Sequence, residues 1–126
     1  MRDGVARIRT RGEKRMNENQ KSFMYLLSYL YMLNGKWAKS MTLLEALHVF
    51  FPQDVKLRKA MACVALHLNE YEKTLRHTEF LIRETSVSRD QADGCFMKSR
   101  ALWALDRREE ARSLFDRFLA LEKETS

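Results

Sequence analysis

Apolar residues recur along this chain three and four positions apart, with polar residues filling the intervals. That rhythm belongs to amphipathic helices, each presenting one apolar stripe to a neighbour. It predicts six helices, over about residues 19–34, 37–50, 55–68, 71–85, 89–105 and 108–123. Strict alternation bounded by turn residues, the sign of a half-buried strand, occurs nowhere. Local signals agree with these limits. Asp54 is placed to cap the helix that begins at Val55. Ser88 and Gln91 have the spacing of a capping box, which would start the fifth helix near Arg89. Asn34-Gly35 supplies a left-handed helix end. Pro52 bars its predecessor from the α region, so the second helix must stop near Phe51.

The helices pair into a repeat. Gly35-Lys36-Trp37, Asn69-Glu70-Tyr71 and Asp106-Arg107-Arg108 align at intervals of 34 and 37 residues. Two amphipathic helices in about 34 residues are the signature of a tetratricopeptide (TPR) array. The repeats run Lys21–Asp54, Val55–Ser88 and Ala92–Thr125, with Arg89, Asp90 and Gln91 inserted before the third. Small or apolar residues stand where the two helices of such a hairpin close on each other. They are Ser28, Ser40 and Leu47, then Ala62, Thr74 and Leu81, then Ser99, Ala111 and Phe118. Phe115 takes one of the larger positions of the repeat frame, while Arg58, Lys98 and Arg108 depart from the apolar pattern there. The expected fold class is all-α: three tetratricopeptide-like helical hairpins stacked as a short solenoid.

Composition adds little to this. Hydrophobic residues make up 45%, enough for a core, and four glycines with one proline leave no room for a flexible linker. No apolar run reaches the ~18 residues of a membrane span, so no membrane insertion is expected. Cys63 and Cys95 fall singly on separate helices and read as reduced, buried thiols of a cytosolic protein.

Charge is more informative. Of the net +6, residues 1–15 carry +4, from six Arg and Lys against Asp3 and Glu13. Residues 1–18 are therefore expected to form a disordered basic arm ahead of a TPR domain at 19–126. Such an arm can neutralise nucleic-acid phosphates. A solvated tail, or an over-extended start with initiation at Met16, is the stronger reading, and no nucleic-acid partner is expected.

In TPR arrays the first helix of each repeat lines the concave face. Those positions hold Tyr25, Tyr29, Met32 and Leu33 in the first repeat and Lys59 and Leu66 in the second. In the third they hold Phe96, Arg100 and Trp103. Folded monomers rarely leave large apolar patches in water, and Tyr, Trp and Met are enriched where partners bind. These nine residues are the candidate partner contacts, for an apolar extended or helical segment. Lys59 and Arg100 would steer acidic flanks. The competing reading sends individual members into the core, above all Leu66 and Trp103, through a small error of register. Cys63 stands where a carboxylate clamp would need asparagine beside Lys59, which argues against a receptor for peptide C-termini. The last helix carries Ala111, Leu114, Phe115, Phe118, Leu119 and Leu121 with no helix after it. An open apolar edge of that kind suggests an obligate partner, or a homodimer when the partner is absent.

Nothing in the sequence assembles a catalytic site. His48, His67 and His77 fall on three helices, the carboxylates are scattered, and no His/Cys pair is expected. A Gly-rich phosphate loop is absent, and neither a cofactor nor a metal is expected.

The stretch from Gln20 to Glu122, about 80% of the chain, resembles the small TPR chaperones of bacterial type III secretion, of the YscY (SctY) type. The resemblance is carried by Leu43-Leu44-Glu45-Ala46-Leu47 followed by Phe51-Pro52, by Glu79-Phe80-Leu81-Ile82, and by the ending from Glu110 to Glu122. It implies a cytosolic chaperone that binds a small secreted partner of the SctX type. With that partner it would engage the export-gate component of the secretion apparatus. The related class II chaperones hold translocators in a three-repeat groove and usually carry a further N-terminal helix, so the resemblance favours the first subgroup.

Overall fold

The computed structural model describes residues 16–125, among which there are six helices and no strand. They are α1 (Glu18–Leu33), α2 (Trp37–Phe50), α3 (Val55–His67), α4 (Tyr71–Glu84), α5 (Ser88–Ala104) and α6 (Arg108–Thr125). The protein is all-α, with consecutive helices packed as hairpins. Residues 1–15, most of the expected arm, lie outside the described residues. Asn17 closes the helical region on that side. Its Oδ1 accepts from the Gln20 N–H at 2.7 Å, and the Gln20 Oε1 accepts from the Asn17 N–H at 3.0 Å. This reciprocal capping box satisfies two donors that the first turn would otherwise leave orphaned.

The three turns within the repeats share one backbone arrangement. Gly35, Asn69 and Asp106 take left-handed φ angles of 71°, 61° and 64°. After each of them an N–H reaches back five residues: Lys36 to Tyr31 O, Glu70 to Ala65 O and Arg107 to Leu102 O, at 2.8–2.9 Å. The left-handed residue itself donates to Met32 O, Leu66 O or Trp103 O. This is the Schellman closure, which satisfies the last carbonyls of a helix and reverses the chain. Glycine, asparagine and aspartate are among the residues that enter this region most readily. The repeat read from the sequence is thus a repeat of geometry.

The chain divides into two compact units, one ending at Pro52 and the other beginning at Gln53. In the first, α1 and α2 close on Ser28 and Ser40, both fully buried, with Met41, Leu44 and Leu47 filling the interface. The Ser28 hydroxyl donates to Tyr25 O at 2.7 Å, so its burial leaves no unmet donor. Helix α2 stops at Phe50, as the proline requires, and Lys21 Nζ sits 4.4 Å over the Phe51 ring.

In the second unit each helix packs on the next, and α5 also meets α3, which is the solenoid pattern. Ala62, Phe80, Leu81 and Met97 form one core cluster; Ala92, Cys95 and Leu121 form another. Thr74 and Thr78 are buried because their hydroxyls donate one turn back, to Glu70 O at 3.1 Å and Thr74 O at 2.8 Å. Helix α5 comes closest to α4 at Gly94. A Cβ there would stand 3.1 Å from both Leu81 Cβ and Ile82 Cγ1 and 3.4 Å from Thr78 O. The polar departures from the repeat frame are also accommodated. Arg58 lies over the Phe80 ring at 4.1 Å, and Lys98 pairs with Glu79 at 3.1 Å.

Two helix starts contrast. Asp54 caps α3 as expected, its Oδ1 accepting from the Leu57 N–H at 3.0 Å. The capping box expected of Ser88 and Gln91 does not form. The N-cap of α5 is Val87, without a side-chain bond, and Ser88 is already helical. Gln91 donates instead to Thr85 O at 2.7 Å, because the chain entering α5 brings that carbonyl within reach.

Candidate partner-binding site

The second unit holds a cleft of about 500 Å³. Its apolar wall comes from Leu66 near the end of α3, Trp103 near the end of α5, and Ala111 and Phe115 on the first half of α6. Tyr71 and Asn69 close one side, with the Tyr71 hydroxyl donating to Asn69 Oδ1 at 2.9 Å. The Schellman turns set this geometry. They end α3 and α5 and start α4 and α6 within a few residues, so aromatic side chains from the helix ends converge.

Trp103 is 46% exposed and Phe115 40%, high values for large apolar residues in a folded domain. Arg108 covers part of the indole, its guanidinium carbon 4.4 Å from the ring centre, and is itself held by Asp106 at 3.0 Å. The cation fixes the ring without filling the cleft.

The rim is basic. Arg100 and Arg112 line the cleft, and no carboxylate does. Among the described residues neither arginine is held in an ion pair. Ser99 also lines the cleft, but its hydroxyl is used on Phe96 O at 2.7 Å. The surface therefore offers apolar shape and uncompensated positive charge.

Of the nine residues expected from the sequence, the cleft brings together Leu66, Arg100 and Trp103. Leu66 does double duty, since it also packs against the Ala62–Phe80–Leu81–Met97 cluster. Phe96 is half-buried on that same cluster and stacks on Phe118, with ring centres 5.1 Å apart. It is part of the interior rather than of the cleft. In the first unit Tyr29 and Leu33 are exposed, at 49% and 65%, while Tyr25 and Met32 are half-buried.

Lys59 does not line the cleft. Its ammonium is held between Asp90 at 2.6 Å and Asp93 at 3.0 Å, tying α3 to α5. Desolvation draws its pKa down, but the hydrogen bonds to both aspartates and their charges outweigh this, leaving it above the usual lysine value. Because the folded pKa is the higher one, the stabilisation is complete below the unfolded lysine pKa and lost as pH rises through the folded value. Lys59→Met is expected to cost about 1 kcal/mol at neutral pH. In urea titrations of the two proteins, that difference should shrink on moving to strongly alkaline pH. A difference independent of pH would contradict the assignment.

Sequence reasoning did not place Arg112 and Tyr71 at a binding surface, and it set Phe115 on the open apolar edge of the last helix rather than in this cleft. Phe115 was placed in the interior of the third hairpin by the repeat frame, but no following repeat covers that side among the described residues. A second correction concerns Cys63 and His67, which do form a pair, one turn apart on α3. Cys63 Sγ lies 3.9 Å from His67 Nδ1, which is also 3.1 Å from Cys63 O. Burial pushes the Cys63 thiol up, so this pair holds a protonated thiol rather than a nucleophile. Among the described residues no group of three His, Cys, Asp or Glu side chains is placed to hold a metal ion. No helix there is long and apolar enough to cross a membrane.

A scan against protein-family models finds no match for this chain, and a search of curated proteins finds none.

Proposed function

We propose that this protein is a non-catalytic binding scaffold that holds an apolar, acid-flanked segment of a partner protein in the Trp103 cleft. The observation that carries this reading is the combination of a half-exposed aromatic wall with two arginines that no described carboxylate neutralises. An apolar side chain of the partner enters between Trp103, Phe115 and Leu66, and acidic neighbours meet Arg100 and Arg112. The chain's own basic N-terminal segment has the wrong charge to be that occupant.

The finer reading rests on the resemblance to YscY-type chaperones. On it, the protein works in the bacterial cytosol or at the edge of the secretion apparatus. It keeps a small secreted partner of the SctX type export-competent and presents it to the export gate. Covering an apolar segment until export is work that such a cleft can do.

The test is co-expression with the small proteins encoded beside this one, read by size exclusion with light scattering. A stable complex with a small, otherwise insoluble neighbour is the expected result. The double variant Arg100→Glu/Arg112→Glu should then weaken the complex on the order of tenfold and remove its dependence on salt. A chain that retains no neighbour would favour a general TPR adaptor outside secretion. Unchanged affinity in the double variant would remove the acidic flank from the proposal.

A further inference from the structure

Helix α1 is apolar on two faces. Ser28 is buried on the inner face, with Met24, Leu27 and Tyr31 half-buried around it. On the outer face Phe23, Leu26, Leu30 and Leu33 are exposed by 63%, 55%, 44% and 65%. Their spacing of three, four and three residues is that of a coiled-coil seam, narrower than the stripe a helix turns to a globular core. From Ser22 to Gly35 no side chain carries a charge at neutral pH. A helix facing water on that side would be expected to carry charged residues there. A stripe of this spacing and character is suited to a second helical neighbour.

We propose that the neighbour is the same helix of a second copy, paired antiparallel about a two-fold axis. The stripe is symmetric about the level of residue 28, so antiparallel pairing sets Phe23 against Leu33 of the second copy and Leu26 against its Leu30. All four knobs are used twice, as an isologous interface requires. With Tyr29 at its margin, the covered stripe on two copies removes on the order of 1,000 Å² from water, the lower limit for a specific interface. The cleft in the second unit selects by charge; this stripe has no charge to select with, and its own pattern is what it complements.

Sedimentation equilibrium of the full chain at micromolar concentration tests the pairing. The expected mass is that of two chains, falling to one in Leu26→Glu/Leu30→Glu, with the helical circular dichroism retained because both positions are already largely exposed. If that variant loses its helical signal, Leu33→Glu at the exposed end of the stripe should still dissociate the pair. Leu119→Glu, on the exposed part of α6, should leave the dimer intact. A wild-type monomer would overturn the proposal. So would a dimer that survives the stripe variants, or one that dissolves with Leu119→Glu alone. Retention of the co-expressed neighbour by the monomeric variant would separate this interface from the cleft.

Discussion

Gly94→Val is expected to lower the stability of the second unit by about 3 kcal/mol, the upper range for forcing extra methyl groups into a packed core. The reason is the closeness of α4 to α5. A Cβ at residue 94 already stands 3.1 Å from Leu81 Cβ, which is anchored to the main chain of a fully buried residue and cannot turn away. Ile82 Cγ1 is at the same distance but belongs to a half-buried side chain with room to rotate. Valine adds two methyl groups to this contact and pries the helices apart. Gly94→Ala is the informative companion. Alanine improves helix propensity by about 1 kcal/mol, which offsets most of the squeeze from a single Cβ. Urea denaturation followed by circular dichroism should therefore show alanine near the wild type and valine far below it. Equal stabilities for all three would mean that the helices do not approach there.

Trp103→Ala is expected to weaken partner binding by about 2 kcal/mol or more, roughly a thirtyfold loss, as for a central aromatic anchor. The ring is half-exposed, so its removal should leave the fold standing. It supplies the largest apolar face of the cleft, already oriented by Arg108 at 4.4 Å, so little freedom is left to lose on binding. Calorimetry on the purified complex, with the melting curve of the free variant as control, reads the effect. A variant that binds as tightly as the wild type would move the binding surface away from the cleft, whatever the partner.

The helix limits were legible because each is written in local chemistry. Pro52, Asp54 and Gly35 act on their own neighbours, and the apolar rhythm names the side that each helix buries. The capping box at Ser88 failed for a different reason. Its spacing was right, but α5 begins at Ser88 itself, and the Thr85 carbonyl competed for Gln91. The candidate site was half-legible. Concave positions follow from helical period alone, which found Leu66, Arg100 and Trp103. Lys59 and Phe96 satisfied the same period, yet Asp90, Asp93 and Phe118 claimed them. Those partners belong to other helices, and a pattern within one helix does not report them. Phe115 departs in the opposite sense: its place in the repeat frame implied cover, yet it stands 40% exposed on the cleft wall.

The insertion before the third repeat shows where such a chain can grow. Lengthening a turn would break a closure in which five-residue backbone spacing is fixed, but Arg89, Asp90 and Gln91 enter at a helix start, where extra residues only add a turn of helix. Each has found work: Arg89 pairs with Glu122 at 2.9 Å, Asp90 with Lys59 at 2.6 Å, and Gln91 holds Thr85 O at 2.7 Å. The three extra residues thus act as a fastener joining α5 to α3 and α6, and deleting them to restore a 34-residue period would remove these ties along with the added turn.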